Sequence, residues 1–210
     1  LRQLDLSIPF GYLQEGDFFQ ISRFTKGIIE EGWYLSNPFL GAPYGATLYD
    51  LPGDNLVAVF MKLLSLGTAD YARVMNLYTL LTFPLTVVTS VFVFRRFQIA
   101  AVPAVVGSLL FAFLPYHFWR YSHLSLASYY LVPLLVMVAL WVCLGRPFFS
   151  AVEENGRRTR HWRRGLASSV ICLLMASQDS YYPFFGAFIL LTAGAFGSGQ
   201  QRSIWPLVRG

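Results

Sequence analysis

Acidic residues are scarce in this 210-residue chain, and its middle has none. Of 11 Asp and Glu, eight lie in the first 70 residues, and no acid occurs between Tyr71 and Val152. Charged residues of both signs make up 13% of the chain, against about 25% in soluble domains, which excludes an ordinary water-soluble domain. Cysteine is nearly missing too. Cys143 and Cys172 both sit inside apolar runs without CxxC spacing, so a disulfide framework is excluded and both read as small buried hydrophobes. GxSxG and HExxH are absent, which removes the two commonest hydrolase signatures. The apolar runs between Val74 and Leu144 carry no ionisable residue in their interiors. A secondary transporter would want such groups near the membrane midplane.

What the chain has instead is long apolar stretches. Val74–Phe94 and Leu124–Leu144 are each 21 residues long, and a helix needs about 20 apolar residues to cross the hydrocarbon core. The expected class is an all-α polytopic transmembrane bundle, with spans near 74–94, 98–115, 124–144, 165–177 and 182–196. Arg95 and Arg96 close the first run, and Arg157, Arg158, Arg160, Arg163 and Arg164 lie in the loop 145–164. Alternating spans place all of these on one side, as the positive-inside rule requires of a cytoplasmic face. The net charge of +5 is thereby explained without nucleic acid. Residues 1–70 then form a loop on the outer side of a bacterial-type plasma membrane, and 71–210 form the transmembrane region. The chain starts at Leu1 rather than Met, and Ile204–Val208 looks like the start of a further segment. A fragment of a larger protein is expected, with at least one helix before Leu1.

Two stretches of the outer region look like interfacial helices. Phe18, Ile21, Phe24, Ile28 and Ile29 recur at helical spacing with Arg23, Lys26 and Glu30 between them. Asn55–Leu66 is apolar apart from Lys62 and is too short to span. The turn-rich stretch Asn37-Pro38, Gly41-Ala42-Pro43 and Gly45 links them.

Few polar residues are placed to do chemistry. Asp17, with Gln20 three residues on, has the form of a helix N-cap and capping box; a carboxylate fixed there could equally serve as a general base. Asp50 and Asp54 bracket Leu51-Pro52-Gly53. They read as a surface turn, with the wall of a substrate site, or a divalent metal shared with Asp17, as open alternatives that the spacing does not demand. No residue set defines a cofactor, and the two histidines near residue 120 are weak metal ligands. Tyr116, His117, Arg120, Tyr121 and His123 crowd the outer ends of two spans. Tyrosine is ordinary at that level, but two histidines and Arg120 within eight residues suit an anionic group such as a lipid phosphate. Asp179 and Tyr182, in the turn Gln178-Asp179-Ser180-Tyr181-Tyr182, are a further candidate because an ionisable group near membrane depth is costly.

An acid opening an interfacial helix, then "EEGWYLSNPFLGAPYG" (30–45), a short apolar run and a span ending in Arg-Arg resemble the membrane-embedded C-type glycosyltransferases. Protein O-mannosyltransferases and aminoarabinose transferases are examples. Asp17 is followed by Phe18, where many of that class have Asp-Glu, so the resemblance is to a divergent branch. It implies a transferase at the outer face, moving a sugar from a polyprenyl-phosphate donor to a glycan, lipid or protein acceptor. Asp17 would be the catalytic base. His117, Arg120 and His123 would receive the leaving phosphate, and Asp179, Tyr182 and Asp50 would line the substrate cavity. The alternative is a non-enzymatic membrane protein that binds or translocates a lipid-linked glycan at the same residues.

Overall fold

The computed structural model describes residues 5–10, 17–38, 40–41, 43–47, 54–146, 148, 151–154, 157–160 and 162–201. In chain order these give α1 (Phe18–Glu30), β1 (Ser36–Asn37), β2 (Ala46–Thr47), α2 (Asn55–Ser65), α3 (Tyr71–Arg96), α4 (Ala101–Ala112), α5 (Pro115–Trp119) and α6 (Leu124–Ala127). After a 3-10 turn (Tyr129–Leu131) come α7 (Val132–Cys143), β3 (Ala151–Glu154), β4 (Arg157–Arg160), α8 (Trp162–Ala176) and α9 (Tyr181–Gln201). The chain is mostly helical, but two small antiparallel hairpins depart from the all-α expectation. In the first, Ser36 pairs with Thr47 and Asn37 with Ala46. Its tip needs glycine: Gly41 has φ +68°, and a Cβ there would lie 2.9 Å from the Gly45 carbonyl oxygen.

Among the described residues, four segments are long and apolar enough to cross a membrane: Tyr71–Arg96, Ala101–Trp119, Leu124–Cys143 and Tyr181–Gly199. The fourth expected span, 165–177, does not qualify. Its helix, α8, has 15 residues and opens with Trp162-Arg163-Arg164; at 1.5 Å per residue it reaches about 22 Å, short of the ~30 Å core. The fifth, 182–196, is longer than its apolar core suggested, because α9 continues through Gly197 and Gly199 to Gln201.

The chain divides into two compact units, 1–130 and 131–210. In the first unit α1 and α2 pack on α3 and on each other. Ile28 and Met61 are fully buried. Lys62, the lone base of apolar α2, donates from Nζ to the Ile28 carbonyl of α1 at 3.0 Å, answering one of the carbonyls a helix end leaves open. Asp54 is a buried N-cap of α2, accepting from the Val57 N–H at 3.2 Å; it is not the exposed turn acid expected from sequence. Tyr34 donates to Asn55 Oδ1 at 2.6 Å. Burial, and then the charge of Asp54, raise the Tyr34 pKa, which keeps it a neutral donor.

Helices α3 and α4 form a hairpin whose contact is lined by small residues. Thr82, Thr86, Ser90, Ala104, Ser108 and Ala112 are all buried, and a Cβ on Gly107 would sit 3.3 Å from the Phe94 ring. Small side chains let two helices approach closely in lipid. The hydroxyls of Thr82, Thr86 and Ser108 bond carbonyls of their own helix, at 2.7, 2.8 and 2.7 Å, so they add no unsatisfied group. The turn between the helices is a Schellman motif: Ile99 N–H reaches Phe94 O and Gln98 N–H reaches Arg95 O, both at 3.1 Å. Gln98 holds φ +64° there, where glycine is the usual occupant. Gln98→Gly is expected to stabilise the protein by about 0.5–1 kcal/mol, readable as a higher thermal midpoint in detergent.

One buried polar residue of α3 escaped the sequence reading. Asn76 is 1% exposed. Its Oδ1 accepts from Phe10 N–H at 2.8 Å, and its Nδ2 donates to the carbonyls of Leu6 and Ile8 at 2.9 and 2.8 Å. Three hydrogen bonds from one side chain hold residues 5–10 against α3. Asn76→Ala is expected to cost about 2–3 kcal/mol and to open the chain near Ile8 to proteolysis, while α3 stays intact.

In the second unit α9 packs on α7 and α8. Gly186 sits close against Leu135: a Cβ would come 3.1 Å from Leu135 Cδ2, so that side chain would have to give by a few tenths of an ångström. Both cysteines are free thiols, half-buried rather than fully buried as expected, and Cys143 Sγ donates to the Ala193 carbonyl of α9 at 3.7 Å. The second hairpin occupies the arginine-rich loop, pairing Glu153 with Arg158 and Glu154 with Arg157 in register.

Candidate functional site

The local sequence after α4 explains how its polar residues are presented. Leu114 precedes a proline and takes an extended backbone (φ −58°, ψ 143°), because Pro disfavours the helical region for the residue before it. The helix expected over 98–115 therefore stops near Ala112 and restarts as α5 with Pro115 in its first turn. A tight turn follows, closed by His123 N–H to the Arg120 carbonyl at 3.0 Å. His123 is the N-cap residue of α6, but its side chain makes no capping bond.

Asp17 stands in the same relation to α1. Its carbonyl accepts from Ile21 N–H at 2.9 Å, while its carboxylate caps nothing. The capping box expected from Asp17 and Gln20 does not form. The reason is backbone geometry: Asp70, with ψ 110°, folds its carboxylate back onto the amides of Ala72 and Arg73. Asp17 has ψ 13°, outside the extended region that N-capping uses. Its Oδ2 instead accepts a hydrogen bond from His123 Nδ1 at 2.8 Å, across 106 residues of sequence. The side chains are 59% and 27% exposed, so the pair contributes at most about 1 kcal/mol to stability. With Nδ1–H directed at the carboxylate, neutral His123 keeps its lone pair on Nε2. Among the described residues no group hydrogen-bonds that Nε2.

Three residues before His123, the Arg120 guanidinium lies over the Tyr116 ring, 5.3 Å from its centroid. Among the described residues no carboxylate pairs with it. A planar guanidinium braced on an aromatic face keeps its donor fork available to a phosphate. Tyr121 packs by Phe10 and Phe118; burial raises its pKa, so it stays a neutral phenol.

His117 is not part of this open cluster. It is completely buried, stacked on Phe83 at 3.9 Å, with Nε2 2.8 Å from Thr82 Oγ1 and Nδ1 2.8 Å from the Ala112 carbonyl. Tyr129 Oη lies 3.1 Å from the same Nδ1. Both ring nitrogens are engaged by protein, so His117 cannot meet a phosphate without unpacking, and the role expected for it is corrected to a structural one. It ties α3, the end of α4 and the 3-10 turn around the segment that carries Arg120 and His123. A polar residue within an apolar run, as Thr82 is, was the signal for this link.

Asp50 falls outside the described residues. Asp179 and Tyr182 belong to the second unit, Asp179 in the turn between α8 and α9 and Tyr182 in the first turn of α9: Asp179 Oδ1 accepts from Ser180 Oγ at 3.1 Å, and its carbonyl from Tyr182 N–H at 3.1 Å. No group of three or more His, Cys, Asp or Glu gathers among the described residues. Asp17 and His123 alone supply two donors, short of the sets that hold a resident metal.

No curated protein and no solved structure matches the chain. A family model described as "Domain of unknown function (DUF6311)" matches residues 31–208, which include Arg120, His123 and Asp179 and begin after Asp17. The chain thus belongs to the DUF6311 family.

Proposed function

We propose that this chain is part of a polytopic membrane glycosyltransferase, with the Asp17–His123 pair at the outer face acting on a sugar carried by polyprenyl phosphate. One observation carries this reading: the 2.8 Å contact between Asp17 Oδ2 and His123 Nδ1. An acid freed from capping orients an imidazole whose other nitrogen is open, which is the arrangement of a general base and its positioning residue. The four apolar segments support a setting in which a lipid donor presents its headgroup at the surface.

In this proposal His123 Nε2 takes the proton from an acceptor hydroxyl as its oxygen attacks the anomeric carbon. The bond from that carbon to the phosphate oxygen breaks, and its electron pair leaves on polyprenyl phosphate. Arg120 stabilises the charge that develops there, and Asp17 stabilises the imidazolium. Asp17, expected from sequence to be the base, thereby becomes the positioning residue and His123 the catalytic one. Asp50, Asp179 and Tyr182 take no part in these steps.

The test uses the full-length protein in native membrane vesicles, which carry acceptor hydroxyls, supplied with polyprenyl-phosphate mannose and polyprenyl-phosphate aminoarabinose. Release of free polyprenyl phosphate from either donor is expected. Saturable donor binding without release would favour the non-enzymatic lipid-glycan carrier instead.

A further inference from the structure

The second unit carries a concentration of charge that the proposed chemistry does not use. Between Arg146 and Arg164 the chain has six arginines and two glutamates. The β3–β4 register sets both glutamates opposite arginines, Glu153 across from Arg158 and Glu154 across from Arg157. Four positive charges remain in surplus. Two contacts bring several of the arginines to one end of this unit. The Arg164 guanidinium lies over the Trp141 ring of α7 at 5.7 Å, and Gly165 N–H bonds the Phe148 carbonyl at 3.2 Å. The first turn of α8 therefore sits beside the C-terminal end of α7, and Arg146, three residues beyond that helix, is tied to it by its N–H on the Trp141 carbonyl at 2.9 Å. Trp162 is 46% exposed, and the Arg163 guanidinium lies 5.8 Å from its ring centroid. Among the described residues no carboxylate pairs with Arg163. Leu144 and Leu166, at the same end, are 56% and 52% exposed.

We propose that this end of the second unit binds the phosphate of anionic phospholipids. Exposed Trp settles at the membrane–water boundary, and clustered arginines beside a span attract anionic headgroups. Arg163, lying against the Trp162 ring, presents its donor fork to a phosphate, and the N-terminal dipole of α8 adds to the attraction. The exposed leucines fit acyl chains, which a nucleic acid or free phosphate does not have. The proposal rests on the membrane reading of the apolar helices and is independent of the chemistry assigned to Asp17 and His123.

The test is retention of phosphatidylglycerol against phosphatidylcholine by the detergent-solubilised full-length protein, read by native mass spectrometry. Phosphatidylglycerol is expected to be retained preferentially. Arg163→Gln should weaken retention about fivefold, without moving the thermal midpoint. Arg163→Lys, which keeps the charge but loses the fork, should keep only part of it, and Lys26→Gln on α1 should change nothing. If Arg163→Gln does not fold, Arg163→Lys alone decides, with a smaller loss expected. Equal retention of both lipids, a preference that survives the substitutions, or displacement by inorganic phosphate would overturn the site. Loss of the protein from carbonate-washed membranes would instead overturn the membrane reading beneath it.

Discussion

His123→Ala is expected to slow sugar transfer by about 10²–10⁴-fold, the usual contribution of a positioned general base, with little change in donor KM. The substitution should leave the protein folded, because the side chain is partly exposed and its bond to Asp17 adds at most about 1 kcal/mol. Arg120→Gln should act differently. The guanidinium meets phosphate both before and after bond cleavage, so its loss should raise KM as well as lower kcat. An Arg120→Lys variant keeps the charge but loses the planar fork and its seat on Tyr116, and is expected to recover only part of the rate. Steady-state measurement of polyprenyl phosphate release separates these patterns.

His117→Ala is expected to be the most destabilising single change in the first unit, at about 3–5 kcal/mol, the range for removing a buried aromatic ring. The ring stacks on Phe83 and touches partners from three elements. Its removal leaves a cavity and a buried Ala112 carbonyl with one partner fewer. The loss should appear as a lower unfolding midpoint in detergent, while donor KM in the folded fraction stays unchanged. A phosphate ligand would give the opposite pattern, a raised KM with intact stability. The comparison therefore separates the role expected from sequence from the role the packing indicates.

Much of the helical layout was legible in the sequence because it rests on local signals. The apolar runs anticipated α3, α7 and α9, and the periodic pattern from Phe18 to Ile29 anticipated α1. The end of the apolar run before Pro115 was anticipated, but the restart as the short helix α5 was not. The hairpin at β3 and β4 was missed because arginines beside a span were read as topology, and strand pairing is a non-local matter. The site divides in the same way. Arg120 and His123 stood out as charge clustered at the end of a span, but their link to Asp17 runs across 106 residues. No pattern in sequence spacing reports such a contact. The capping-box reading failed because it depends on one backbone angle, which residue identity alone does not set. Asn76 was concealed by its surroundings: one amide in an apolar run carries no spacing signal, yet it holds the segment 5–10 in place.

The most direct test of the pair is kinetic. Asp17→Asn, His123→Ala and the double variant would be compared for polyprenyl phosphate release from the same donor, in the same membranes. If Asp17 works only through His123, the double variant should be no slower than His123→Ala alone, because residues acting as a unit give strongly non-additive effects. Multiplying effects, with the double variant slower by the product of the two single losses, would contradict the pair and leave the two residues as independent surface groups.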